Sequence, residues 1–174
     1  MGRIVYSVAM SLDGYLAGPN GEVDWIAMDP EIDFAGMMAR FDTIVMGRRT
    51  FEATQALGGG PMPGVKTVVV SRTLQQKDHP DLMIIGEDLG KTVSKLRADS
   101  GGDIWLFGGG SLFRSLLDLR LVDTIEVAVI PVLLGAGIPL LPTRSERTSL
   151  RLVSMKLYKA TGTLGLAYAV DPAA

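Results

Sequence analysis

The chain has 174 residues, 47% of them hydrophobic, a formal net charge of -2, a single histidine and no cysteine. A chain of this length buries roughly 70% of the surface it would expose unfolded, and the absence of cysteine excludes disulfides, thiolate metal sites and a cysteine nucleophile. The lone His79, in a polar stretch before Pro80, leaves little for a Ser-His-Asp triad or a metal. Nor does any basic block exceed Arg48-Arg49, so no metal and no nucleic-acid partner are expected.

In chain order, Met1 to Tyr6 lacks the apolar stretch and small-residue cleavage site of a secretory signal, and no apolar run reaches the ~18 residues of a membrane span. The expected setting is cytoplasmic. Arg3 to Ser11 alternates as a strand does and ends in the turn formers Asp13-Gly14. Pro30 stands where a helix can begin, with Glu31 and Asp33 near its N-terminus, and Glu31 to Phe41 is expected to be helical. Thr43 to Met46 is a short strand, followed by Gly47-Arg48-Arg49-Thr50 and a helix to about Leu57. Gly58 to Gly64 is too rich in Gly and Pro for regular structure.

Lys66 to Val70 has the β-branched run of a strand covered on both faces, and Met83 to Ile85 is a shorter one. Leu89, Val93 and Leu96 share one face of a helix over about Asp88 to Ala98. Ile104 to Phe107 is a strand that turns through Gly108-Gly109-Gly110 into a helix over about Ser111 to Leu119. Val122 to Ile130 is a strand, Pro131 to Arg147 mostly loop, and Leu150 to Lys159 with Thr163 to Val170 a hairpin. The sum predicts one α/β domain over residues 1–174, with a mostly parallel sheet, helices on both sides and an antiparallel C-terminal edge.

In open α/β sheets ligands gather at the carboxyl ends of the strands. Three such ends, Met46 to Thr50, Val70 to Thr73 and Phe107 to Ser111, combine bare backbone or arginine with a following helix or loop. Each alone has a structural explanation; together they fit a phosphate-bearing nucleotide. Neither the P-loop nor the three-glycine dinucleotide spacing is present.

Ile44 to Glu52, Pro63 to Lys66 through Ser71, and Ile104 to Phe113 resemble the dihydrofolate reductase superfamily. Ser11-Leu12-Asp13-Gly14-Tyr15-Leu16-Ala17 and Pro131 to Gly135 are closer to the reductase domain of the bifunctional riboflavin deaminase-reductase and its stand-alone relatives. The likeness covers about Arg3 to Val170. It implies the three-layer fold of that superfamily and NADPH as cofactor. By position, Gly47, Arg48, Arg49 and Thr50 would hold the pyrophosphate and adenosine phosphate, and Ser71 and Arg72 would face the 2′-phosphate. Gly108, Gly109, Gly110, Ser111 and Leu112 would line the pyrophosphate and nicotinamide, with Ala9 and Leu16 packed near the nicotinamide. Arg48 and Arg72 would favour NADPH over NADH.

On the substrate side the resemblance implies Asp13 for a phosphoribosylamino-uracil reductase of riboflavin biosynthesis, or Glu31, with Asp33 as a neighbouring look-alike, for a reductase acting on a pterin. Ala128 stands where a folate reductase has a threonine, and Phe113 where it has a tyrosine. The expected activity is hydride transfer from NADPH to a small heterocycle, with Asp13 and Glu31 as candidate catalytic groups. A dihydrofolate reductase and a nucleotide-binding protein without turnover are the alternatives. The apolar loop Pro131 to Pro142 and the resemblance both leave room for a homodimer.

Overall fold

The computed structural model describes residues 2–143 and 146–171. In chain order the described elements are β1 (Ile4–Ser11), β2 (Tyr15–Ala17), α1 (Phe34–Met38), β3 (Phe41–Gly47), α2 (Arg48–Ala56), β4 (Lys66–Val70) and β5 (Met83–Ile85). There follow α3 (Leu89–Asp99), β6 (Asp103–Gly108), α4 (Gly110–Asp118), β7 (Thr124–Ile130), β8 (Ile138–Pro139), β9 (Leu150–Tyr158) and β10 (Thr163–Val170). Eight strands form one sheet in the order β5-β4-β3-β6-β1-β7-β10-β9, and β2 pairs with β8 beside it. The first six are mutually parallel. The hairpin β9–β10 closes the sheet antiparallel to β7, as the sequence predicts.

Side-chain alternation divides the core into two layers. Ile4 and Tyr6 of β1, Leu106 of β6 and Val127 of β7 point to the side covered by α3 and α4, where the Tyr6 and Phe113 rings stack at 3.8 Å. Val5, Ile44, Met46, Val69 and Trp105 point to the other side, under Phe51 of α2 and Met37 and Met38 of α1. Residues fully withdrawn from water, such as Val68, Val69 and Leu106 at 0% exposure, each contribute about 1.5–3 kcal/mol of hydrophobic stabilisation.

One expectation needs correction. The helix expected over Glu31 to Phe41 shrinks to five residues. Asp29 Oδ1 accepts from the Glu31 amide at 2.9 Å, and Asp33 caps the helix only three residues before Gly36, accepting from its amide at 2.8 Å. Phe41 is drawn into β3 opposite Asp103. The loop over 131–142 is in part covered by its own protein, since Leu140 and Leu141 pack against the α3–α4 core; residues 144 and 145 of the longer loop lie outside the described residues. A larger apolar surface lies on the last hairpin. Leu150, Leu152, Met155 and Leu157 of β9 stand opposite Val170, Tyr168, Leu166 and Leu164 of β10, and the four on β9 are 43–66% exposed.

Candidate active site

The sheet order puts the carboxyl ends of β4, β3 and β6 side by side, with Gly47 opposite Val70 and Met46 opposite Gly108. Ser71-Arg72, Gly47 to Thr50 and Gly108 to Leu112 therefore meet at one edge. Two nine-residue helices start there. α2 is capped by Gly47 and α4 by Gly109, neither with a side-chain cap, so the first amides of both are left for an anion. Gly108 has φ +148° and joins Gly109 through a cis peptide. The Thr50 hydroxyl lies 3.3 Å from where a Cβ on Gly109 would stand, so the two glycines keep this backbone open beside a hydroxyl donor.

The individual residues differ in what they offer. Arg49 and Arg72 are exposed, whereas Arg48 pairs with Glu52 at 3.0 Å on the surface of α2. Ser71 is buried, and its hydroxyl accepts from the amides of Thr73 and Leu74 at 3.2 and 3.0 Å, which shapes the turn carrying Arg72. Ser111 is exposed, whereas Leu112 is 7% exposed and belongs to the core beneath α4. Gly110 has a packing reason for its bareness: a Cβ there would meet the Pro139 carbonyl and Pro142 Cδ, both at 2.9 Å.

The face under α1 and α2 is open over the centre of the sheet. Ala9 on β1 is paired with Ala128 on β7, and Ala128 with Gly165 on β10. All three are half-buried although β1 and β7 are interior strands. Ala9 and Ala128 make a shallow shelf, bounded at Gly165 by the Tyr158 ring, whose edge lies 3.1 Å from where a Cβ on that glycine would stand. On the same face, between β3 and α2, lies a small solvent-open cleft whose walls include Ile44, Met46, Phe51, Gln55, Met62 and Phe107 and no charged residue. Below Phe107, Trp105 meets it edge-on at 4.8 Å and donates its indole N–H to the Ser7 carbonyl at 2.9 Å. Leu16 lies in β2, half-buried.

The carboxylates named from sequence do not converge on this shelf as free acids. Asp13, at the end of β1, accepts from the Ser11 hydroxyl at 2.6 Å and from the Leu134 and Gly135 amides at 3.1 and 2.7 Å. The Ser11 hydroxyl and then the Gly135 amide hold its carboxyl below the ordinary range, so it is a strap between two loops and a poor proton donor. Glu31 is exposed, in the turn before α1.

Asp29 escaped the sequence reading. It is 2% exposed, accepts from Glu31 and from both the amide and hydroxyl of Thr161 at 2.9 Å, and is held ionised first by the Glu31 amide. The Asp-Pro pair was its signal, since aspartate turns commonly accept from the amide two residues on. Also missed was Arg40, which forks onto Glu126 through both terminal nitrogens and lies 4.4 Å over the Phe41 ring.

Residues 3–163 match the model of the RibD C-terminal domain. The chain belongs to the RibD C-terminal domain family. One relative of this RibD C-terminal domain is the uncharacterized protein YyaP of Bacillus subtilis, 34% identical, the match covering 95% of this chain and 94% of that one. Among solved structures it resembles a putative riboflavin biosynthesis protein from Shewanella sp. PV-4, with 25% identity, TM-score 0.84 and coverage of 99% and 100%. The deaminase/5-amino-6-(5-phosphoribosylamino)uracil reductase of Thermotoga maritima follows at TM-score 0.72 and 14% identity, 98% of this chain on 57% of that one. Dihydrofolate reductase of Enterococcus faecalis, complexed with NADP(H), superposes at TM-score 0.68 and 16% identity, 98% on 97%. The fold is thus that of the dihydrofolate reductase superfamily.

Proposed function

We propose that this chain is an NADPH-dependent reductase of the pyrimidine-reductase type, which delivers hydride to an electrophilic C=N or C=O carbon of a small heterocycle. The observation that carries this reading is the meeting of two side-chain-free helix N-termini and a bare glycine backbone, at adjacent strand ends, with an open shelf across β1 and β7. The donor set suits a dinucleotide: amides at Gly47 and Gly109 for pyrophosphate, and Arg72 with Arg49 for a further phosphate. When bound, the nicotinamide supplies the hydride; the protein's part is orientation and exclusion of water.

Ala9 and Phe107 would form the floor beneath the reacting rings, and Leu16 the flank. The Asp13 strap would fix the loop after β7 against the end of β1. Since Asp13 is held ionised, we assign the proton that completes the reduction to water rather than to this carboxyl. The phosphoribosylated pyrimidine and dihydropterin are the first substrates to assay.

The test is titration of the purified chain with NADPH and NADH, followed by loss of reduced-nicotinamide absorbance with each substrate. Tighter binding of NADPH is expected, with the preference reduced about tenfold in Arg72→Ala through loss of one charge-assisted contact. Equal affinity for the two cofactors would remove the assignment of the 2′-phosphate. Binding of NADPH without oxidation in the presence of any substrate would favour the reading without turnover.

A further inference from the structure

We propose that Glu126, clamped by Arg40, is a specificity-determining residue of this site and reads the amide edge, an N–H beside a C=O, of a heterocycle lying on Ala9 and Ala128. The inference rests on the hydride-transfer reading above. Alternation along β7 sets the direction of the side chain. Ile125 and Val127 enter the α3–α4 core, so Glu126 rises from the opposite face beside Ala128, about 7 Å from it along the strand. Its in-register neighbours are Ser7 on β1 and Ala167 on β10. Both are small, so neither screens the carboxylate, and the Glu126 side chain is 22% exposed.

The clamp comes from across the sheet. Arg40 immediately precedes β3, which β6 and β1 separate from β7, and its two terminal nitrogens donate to the two oxygens of Glu126. The guanidinium lies 4.4 Å over the Phe41 ring, and Phe41 stacks on Trp105 at 5.6 Å. Trp105 in turn donates to the carbonyl of Ser7, the residue opposite Glu126. Packing and hydrogen bonds thus hold the carboxylate in one orientation, as a recognition group requires.

Stability alone is a weak reason for this pair. A partly buried ion pair gains little net of its desolvation, and this one leaves Arg40 Nε buried with no acceptor among the described residues, a further cost. What the pair retains is hydrogen-bonding capacity. Each carboxylate oxygen has a second lone pair, and each terminal nitrogen of Arg40 a second N–H. Acceptor and donor stand side by side, and the ring edge that meets both is an N–H next to a C=O.

The experiment titrates a matched pair of uncharged rings, vicinal diaminouracil and its N,N′-dimethyl derivative, calorimetrically into the free chain and into the chain saturated with NADP+. Methylation removes both ring N–H groups and keeps the carbonyls. The parent chain is expected to bind diaminouracil about tenfold more tightly than the dimethyl compound. In Glu126→Gln that preference should vanish through loss of one charge-assisted bond, with affinity for the dimethyl compound and for NADP+ unchanged. Thermal melts of the same variant separate the structural role: a lowered Tm with the preference intact overturns the proposal. So does failure of both rings to bind, or an equal loss for both in Glu126→Gln. Ser7→Val leaves the ion pair in place and crowds the carboxylate, and serves where Glu126→Gln does not fold; survival of the preference there overturns the proposal as well. Failure of the reductase reading is seen separately, as absence of NADP+ binding or of NADPH oxidation.

Discussion

Asp13 lies in an exposed turn, yet its carboxylate accepts from the Ser11 hydroxyl and two amides of the loop after β7. Its folded pKa is lowered from 3.8, so the stabilisation it provides is present above that value. It is lost as pH falls through the depressed folded value, because the unfolded chain then binds the proton more readily. Thermal melts from neutral pH to about pH 3 should show Asp13→Asn less stable than the parent at neutrality, with the two converging in acid. A constant gap across the range would sink this account. At Gly110, a methyl group would press on the Pro139 carbonyl and Pro142 at 2.9 Å. Gly110→Ala is therefore expected to cost about 1–3 kcal/mol in denaturant melts, and a neutral outcome would show that the 139–142 segment yields.

At the scale of elements, the strands and α2 to α4 were legible because their signals are local. Val68-Val69-Val70 has β-branched residues in a row, and Leu89, Val93 and Leu96 repeat at helical spacing. The lip before α1 was not legible. Its helical look depended on Pro30, Glu31 and Asp33, but two aspartate side chains compete for the amides and β3 claims Phe41, so tertiary pairing overrides propensity. Asp29 joins this lip to the turn of the β9–β10 hairpin through Thr161, 132 residues away. Asp29→Ala should speed hydrogen exchange at the amides of both Glu31 and Thr161, which lose the same acceptor. Acceleration at Glu31 alone would show that the link to the hairpin does not hold the lip.

Over the whole molecule, the edge proposed for the cofactor could be assembled from the sequence because glycine turns and arginines mark strand ends one by one. The shelf could not, because Ala9 and Ala128 gain meaning only once strand order and register are fixed. The hairpin face has a consequence at this scale too. Antiparallel sheets expose one face at most when that face is polar, and Leu150, Leu152, Met155 and Leu157 are not. We expect a second copy of the chain to cover them, giving a dimer in sedimentation at micromolar concentration that the double change Met155→Lys, Leu157→Lys converts to monomer. A monomeric parent would refute this.

The indole of Trp105 lies just beneath the proposed ring site, edge-on to Phe107, while the other tryptophan, Trp25, is fastened by its N–H to the Glu22 carbonyl in the lip. The chain contains only these two. Its intrinsic fluorescence therefore originates from the lip and from beneath Phe107, and a reduced nicotinamide bound near them would absorb the light they emit. Occupancy could be followed optically in the unlabelled protein, with Trp25→Phe and Trp105→Phe separating the signal of the lip from that of the floor.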